Sequence, residues 1–514
     1  MKDDKRIAGW RRVLFWIAPV LAVWIGFFVK LDPARPQLSY TLAVAVLMAL
    51  WWVAEVVPLA VTSMLPVVLF PVLGVMNGKQ VSALYFNHVI FLFIGGFLVA
   101  LAIQKWSLHK RLALWLLTRV GAGPGRILFG FMFATAFLSM WISNTATTMM
   151  MLPILLSVLV EMESRHPGAD LHNFSRALLL GIAYGASVGG ISTLVGTPPN
   201  LSFVRIFGIY FPDAPEVSFS TWFFYAFPLS ALMFVVVYLY LYWVFLRRDG
   251  ASIRPAAGQI KAQLHAMGPM TYEEKVLGVA FAGLALLWLF RSDIRLGFAT
   301  VPGWSRLFAK PAYLNDGTVA VFVAAVLFLI PSRSRPGTFL MDWKTAEAIP
   351  WEIILLFGGG FALAGAFKAS GLSTWFGEQL AWVGQLPPVV TIAIIAMVVT
   401  FLTEVTSNTA TVEAFLPVLA GLAVQARIHP LLLMLPATIA ASLAFMLPVA
   451  TPPNAIVFGT RRLAIADMAR TGFWLNLAGI LIVTLVTYYL GMVVFGITPG
   501  QFPIWGGGNE GGKL

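Results

Sequence analysis

Ser143-Asn144-Thr145-Ala146-Thr147 stands in the middle of one apolar stretch, and the same five residues return as Ser407-Asn408-Thr409-Ala410-Thr411 in the middle of another. The offset of 264 positions between Asn144 and Asn408 carries further matches: Gly95-Gly96-Phe97 with Gly359-Gly360-Phe361, and Pro153 with Pro417. Downstream, Thr197-Pro198-Pro199-Asn200 matches Thr451-Pro452-Pro453-Asn454 after a small change of spacing. Matches in the same order at nearly one offset mean that the chain is built from two repeats.

The solvent of those repeats follows from composition. Of 514 residues, 59% are hydrophobic and only 11% charged, with mean hydropathy +0.85, which is too little polar surface to cover a water-soluble globule. Crossing a hydrocarbon core of ~30 Å takes roughly 20 apolar residues. Apolar runs bounded by Pro, Gly and charge give eleven expected crossings: 13–29, 38–56, 59–75, 86–104, 176–207, 219–246, 274–290, 315–331, 350–367, 428–459 and 470–496. The first follows the basic segment Met1 to Arg12, yet it is longer than a signal-peptide h-region and no small-residue cleavage site follows, so it reads as a helix. The segments 127–160 and 389–426 are each too long for one simple crossing and are interrupted by the Ser-Asn-Thr clusters, so both are expected to be re-entrant hairpins.

Duplicated hydrophobic halves with corresponding interrupted helices are the pattern of a secondary transporter, and the interruptions point to its binding site. Charge sets the relative orientation of the halves. Lys105, Lys110, Arg111, Arg119 and Arg126 crowd one inter-helix segment, whereas its counterpart, Lys368 to Pro388, carries only Lys368 and Glu378. The positive-inside rule then puts the equivalent segments on opposite sides, which makes the repeats inverted, with the N-terminus cytoplasmic and the C-terminus outside. The basic loops at Arg247-Arg248, Arg333-Arg335 and Arg461-Arg462 fall inside as well, while Arg291, Arg295, Arg306 and Lys310 fall on the expected outside and disagree.

Non-helical backbone at membrane depth costs several kcal/mol per unsatisfied group, so four interruptions imply a shared polar cavity. Ser, Asn and Thr at the hairpin tips suit N-caps, and their oxygens suit a hard cation such as sodium. The stretches 127–160, 177–204, 389–426 and 430–460 contain no Lys or Arg. An anion held there takes its compensating charge from half-helix N-termini and bound cations, which is a physical reason to expect cation coupling.

Other patterns point elsewhere and are weaker. The net charge of +12 comes from helix ends and loops and forms no tract for nucleic acid, and no cysteine is present. Gly181, Gly185 and Gly189 are spaced for close helix packing. The G-x-S-x-G around Ser187 lies in an apolar helix where a nucleophile elbow needs a strand–turn–helix. His88, His109, His166, His172, His265 and His429 show no metal-ligand spacing. Glu55, Glu352, Glu404 and Glu413 lie in or beside apolar segments, as proton carriers or as buried structural groups.

With Trp51-Trp52-Val53-Ala54-Glu55-Val56-Val57-Pro58-Leu59-Ala60-Val61-Thr62-Ser63, the doubled motifs resemble the divalent anion:sodium symporter (DASS) family over nearly the whole chain. That family includes sodium–dicarboxylate and sodium–citrate cotransporters. The resemblance implies an all-α polytopic membrane protein, a homodimer in lipid, whose transport domain (127–246 and 389–496) moves as an elevator against a scaffold (1–126 and 247–388), followed by a tail, 497–514. It implies one sodium ion on Ser139, Ser143, Asn144 and the backbone at Gly196, and a second on Thr403, Ser407, Asn408 and the backbone at Ala450. Substrate carboxylates would meet Asn144, Thr145, Thr197, Asn408, Thr409 and Thr451. The expected substrate is a four-carbon dicarboxylate such as succinate, malate or fumarate, and the expected location a bacterial inner membrane. Sulfate or tricarboxylate transport and sodium-independent exchange are alternatives within the same family; an anion channel and a hydrolase using Ser187 are alternatives outside it.

Overall fold

The computed structural model describes residues 9–121, 123–165, 171–247, 257–295, 300–498 and 500–506. Residues 1–8 of the basic N-terminal segment, His166, Arg248 and the end of the 497–514 tail lie outside the described residues. Within them the structure is helical apart from a two-residue strand pair, Ile294–Arg295 against Thr300–Val301. The principal helices are α1 (Gly9–Phe28), α2 (Gln37–Ala54), α3 (His88–Lys105), α4 (Leu108–Val120), α5 (Pro124–Ser139), α6 (Asn144–Arg165), α7 (His172–Ile191), α8 (Pro198–Tyr210) and α9 (Phe219–Leu241). They continue as α10 (Tyr272–Leu289), α11 (Asp316–Leu329), α12 (Trp351–Ser370), α13 (Leu372–Gln379), α14 (Pro388–Thr403), α15 (Asn408–Gln425), α16 (Pro430–Ala440), α17 (Pro452–Phe458) and α18 (Ile465–Val486).

Among the described residues, eight helices are long and apolar enough to cross a membrane, including α1, α2, α6, α7, α9, α12 and α18. This is an integral membrane protein. Trp16, Val20 and Phe28 on α1 and Val279 and Leu286 on α10 are exposed, as lipid-facing side chains are. At the other extreme every residue of α7 from Ala177 to Ile191 is buried, because a helix apolar on all sides belongs inside a bundle. Three of its four glycines bring α5 against it. A Cβ on Gly181 would lie 2.8 Å from Leu128 Cδ1, one on Gly185 3.1 Å from the Met132 carbonyl oxygen, and one on Gly189 2.5 Å from Ala136 Cα.

Three expected single crossings are divided. The run 176–207 forms α7 and α8 with six residues, 192–197, between them. The run 59–75 forms Leu59–Thr62 and Leu65–Val72, since Pro66 removes the backbone donor that would carry the first helix across residues 63–64. The run 428–459 forms α16 and α17 with eleven residues, 441–451, between them. The discordant basic loop also acquires partners. Arg291 is buried, donating to Asp316 at 2.5 Å and to Glu216 at 2.7 Å, and Arg306 pairs with Asp293. Residues assigned to one side of the membrane do meet: Lys105 bonds Asp342 at 2.7 Å, Arg111 bonds Glu274 at 2.8 Å, and Arg335 stands 5.0 Å from the Trp106 ring.

Candidate functional site

The two Ser-Asn-Thr clusters start helices. Residues 140–143 separate α5 from α6, and residues 404–407 separate α14 from α15. Around these tips most side chains are buried, but Ser143, Asn144, Thr145, Thr406, Ser407 and Asn408 remain half-buried, so the tips are the reachable part. Capping is only half as expected. Ser143 Oγ accepts from the Ala146 N–H at 3.3 Å, whereas Ser407 makes no side-chain cap and its carbonyl instead accepts from Thr411 Oγ1 at 2.9 Å.

Across each tip a hydroxyl reaches the asparagine five residues on. Ser139 Oγ lies 2.6 Å from the Asn144 carboxamide, and Thr403 Oγ1 donates to Asn408 Oδ1 at 2.6 Å. A carbonyl of the neighbouring helix backs each pair. With its nitrogen turned inward, Asn144 donates to the Ala186 carbonyl at 3.2 Å and the Gly196 carbonyl at 3.3 Å. The oxygens of Ser139, Ala186 and Gly196 thus converge on the point that the amide nitrogen fills, and oxygen is the donor type that suits a hard cation. A Cβ on Gly190 would lie 2.5 Å from Asn144 Oδ1, so glycine is what lets the amide in. In the second half Thr403 Oγ1 also lies 3.0 Å from the Ala441 carbonyl oxygen, the weaker alternative acceptor for its single proton. The structure thus brings together Ser139, Asn144 and Gly196, and separately Thr403 and Asn408. Ala450 is buried, and its N–H donates to the Leu447 carbonyl at 3.2 Å.

The Thr-Pro-Pro-Asn motifs break the neighbouring helices. Thr197 and Thr451 are buried N-caps of α8 and α17, with Thr451 Oγ1 accepting from the Asn454 N–H at 3.3 Å. Each motif's asparagine then braces the unwound backbone behind it. Asn200 Nδ2 donates one proton to the Thr193 carbonyl at 2.7 Å and shares the other between those of Ile191 at 3.3 Å and Gly190 at 3.4 Å. Asn454 Nδ2 donates to Ala444 and Leu447, both at 3.1 Å. Gly190 with Ala444, and Thr193 with Leu447, are equivalent carbonyls in the two halves. The duplicated asparagine was the available signal for this bracing role, which sequence reading passed over in favour of the proline break.

One brace has no twin. Glu404 is buried, and its carboxylate accepts from the N–H groups of Phe445 at 2.8 Å, Met446 at 2.9 Å and Leu447 at 3.0 Å, and from Asn476 Nδ2 at 2.7 Å. That makes it a structural group, and it is why the second break spans eleven residues while the first, 192–197, spans six. The counterpart of Glu404 is Met140, whose carbonyl accepts from Thr193 Oγ1 at 2.5 Å. Glu55 and Glu352 are exposed at helix ends.

The halves interlock. The helix after each break packs on the other half's tip helix: α8 against α15 and α16, α17 against α6 and α7. Tyr184 on α7 donates to the Phe445 carbonyl in the second break at 2.8 Å. Thr197 and Thr451 therefore stand in one bundle with Asn144, Thr145, Asn408 and Thr409. The N-termini of α6, α8 and α15 add partial positive charge there, and Arg205, the first cation past the Lys/Arg-free stretch, stands on α8.

Residues 10–497 match the family model described as the sodium:sulfate symporter transmembrane region. The chain is similar to the sodium-dependent dicarboxylate transporter SdcS of Staphylococcus saprophyticus, 40% identical over 501 residues, covering 96% of this chain and 94% of the relative. It is also similar to SdcS of Staphylococcus aureus, 41% identical over 471 residues, covering 90% of this chain and 88% of the relative. In fold it is similar to the YdaH transporter of Alcanivorax borkumensis, with TM-score 0.56 at 17% identity, over 81% of this chain and 90% of that one.

Proposed function

This chain belongs to the sodium:sulfate symporter family, the divalent anion:sodium symporters, and on that premise we propose that it imports a four-carbon dicarboxylate together with sodium ions. It is a membrane transporter and not an enzyme. One observation carries the reading: the Asn144 amide ringed by the oxygens of Ser139, Ala186 and Gly196, with its echo at Thr403, Asn408 and Ala441.

Sodium occupies the first site on Ser139, Ser143, Asn144 and the Gly196 carbonyl, and the second on Thr403, Ser407, Asn408 and the backbone at Ala450. The substrate lies between them, its carboxylates on Asn144, Thr145, Thr197, Asn408, Thr409 and Thr451. Two carboxylates without an arginine beside them need the bound cations, so the dianion is held well only when sodium is present. Energy stored in the sodium gradient then pulls the anion in.

The conformational change is an elevator movement of 127–246 with 389–496 against 1–126 with 247–388, in a homodimer. Its frame is eleven crossings and two re-entrant hairpins in inverted repeats, with the N-terminus cytoplasmic and the C-terminus outside, in a bacterial plasma membrane. The interlocking of α8 with α15 and of α17 with α6 and α7 supports a transport unit that moves as one piece.

The test is uptake of labelled succinate into proteoliposomes under an inward sodium or potassium gradient, with and without succinate inside. Accumulation that needs sodium and no internal succinate supports symport. Uptake that ignores sodium and needs internal succinate makes the protein an exchanger.

A further inference from the structure

Glu413 lies in α15 four residues past Thr409, on the same helical face, and is fully buried. Ser202 Oγ of α8 donates to its Oε1 at 2.9 Å. Its Oε2 is buried with no hydrogen-bond partner among the described residues. The backbone of α12 closes over the carboxyl: a Cβ on Gly360 would lie 2.5 Å from Glu413 Cγ.

Among the described residues no cation pairs with this acid. Of the titratable groups on the elements around it, Tyr85 is bonded to the Ser63 carbonyl, and Tyr210 on α8 donates to the Ala364 carbonyl at 3.1 Å. Lys368, at the end of α12, donates to the Ile209 carbonyl at 2.5 Å. Arg205 on α8, Glu352 on α12, Glu378 on α13, Tyr40 on α2 with Glu55 after it, Lys79 on the Gly78–Tyr85 helix, Glu404 after α14, and Arg427 and His429 between α15 and α16 complete the set. None of these forms a hydrogen bond or ion pair with Glu413 among the described residues.

Magnitudes decide the consequence. A carboxylate without a counter-charge in a low-dielectric interior is far more costly than a neutral carboxyl with one proton lacking a partner. The duplicated fold does not require an acid here either. At the equivalent position the first half has Met149, and the counterpart of Ser202 is Ile456. Acid and hydroxyl occur together in one half only.

We propose that Glu413 is a proton-binding site of this transporter, closed by Ser202 and the Gly360 backbone, whose bound proton is exchanged during the transport cycle. The site binds one H⁺ on the carboxyl and releases it to water when α15 and α12 separate; no other atom is exchanged. Transport then depends on pH through this carboxyl, in addition to any titration of the substrate. This extends the symport reading, but the site itself can be read without transport.

Two measurements test it. The first is the infrared difference spectrum between the parent chain and Glu413→Gln, both purified and intact. The expected result is loss of a protonated-carboxyl C=O band that shifts in deuterated water, with Glu413→Asp retaining a displaced band. No difference in that region means an ionised Glu413 and overturns the proposal, whether or not succinate is a substrate. The second is sodium-driven succinate uptake between about pH 6.5 and pH 8.5, where succinate stays a dianion. The parent rate should vary severalfold across this range, and Glu413→Gln should flatten the profile while keeping its sodium dependence. A profile unchanged by Glu413→Gln overturns the role in the cycle.

Discussion

Thr403 gives its hydroxyl hydrogen bond to Asn408 across the break between α14 and α15, at 2.6 Å. Ser139 and Asn144 stand in the same relation across the break between α5 and α6. The two asparagines are thus fixed side chains, each ready to present an oxygen at a hairpin tip without further ordering. Asn144→Ala and Asn408→Ala are expected to leave a folded protein whose apparent sodium affinity for succinate uptake falls about tenfold to hundredfold, as loss of one polar ligand worth about 1–3 kcal/mol implies. Sodium titration of initial uptake rates checks this. Parental sodium affinity in either variant would remove that asparagine from the site.

Asn200 and Asn454 should act on stability. Replacing either by Ala strands buried carbonyls, at a cost of about 1–3 kcal/mol. Asn200→Ala should lower the melting temperature more, since Asn200 serves three carbonyls and Asn454 two. Thermal unfolding in detergent reads the order directly.

Glu404 gives a sharper contrast. Glu404→Ala leaves three backbone N–H groups and Asn476 without an acceptor, so expression or melting temperature should collapse, whereas Glu404→Gln keeps one carbonyl oxygen and should lose less. Because its role is bracing, Glu404→Gln should also keep the parent's pH profile of uptake, and a flattened profile would make Glu404 a proton carrier after all.

The Ser-Asn-Thr and Thr-Pro-Pro-Asn breaks were legible in the sequence because each motif occurs twice, whereas Ser139, Thr403 and Gly196 entered only through the family resemblance. The Gly181, Gly185 and Gly189 packing face was legible from its spacing alone. Glu404 and Glu413 were not resolved, since each occurs in one half only and composition does not say which acid finds backbone N–H groups and which finds one hydroxyl. The division of 59–75 was missed because hydropathy is blind to Pro66, which interrupts helical bonding without changing polarity.

Gly189→Leu should prevent α5 from seating on α7. Even a Cβ would sit 2.5 Å from the Ala136 Cα, and backbone cannot yield as a side-chain tip does. A cost of several kcal/mol is expected, whereas Gly208→Leu, where nothing lies within 4 Å of a Cβ, should melt near the parent temperature. Size-exclusion profiles and melting curves of the two variants separate these outcomes.

Asp342 supplies a pH test outside the membrane. Lys105, 2.7 Å away, holds its carboxyl down to about 2, assisted by the Thr345 N–H. A carboxyl depressed by folding contributes stability above its unfolded pKa and loses it as pH falls through the folded value, so this contribution is whole at neutral pH and vanishes between about pH 4 and pH 2. With Asp342 41% exposed, screening limits it to about 1 kcal/mol. The melting-temperature gap between the parent and Asp342→Asn should therefore be small, constant from about pH 7 to pH 5, and closing below; a gap that widens on acidification would contradict the pair's assignment.

The central claim is that sodium bound at the two hydroxyl–asparagine tips drives the anion. Its most direct measurement is simultaneous uptake of labelled sodium and labelled succinate into proteoliposomes containing no succinate. Sodium should enter with succinate in fixed proportion, at least one ion for each tip, and both fluxes should fall together in Asn144→Ala and Asn408→Ala. Succinate entry unaccompanied by sodium, or sodium entry that persists unchanged in both variants, would contradict the account.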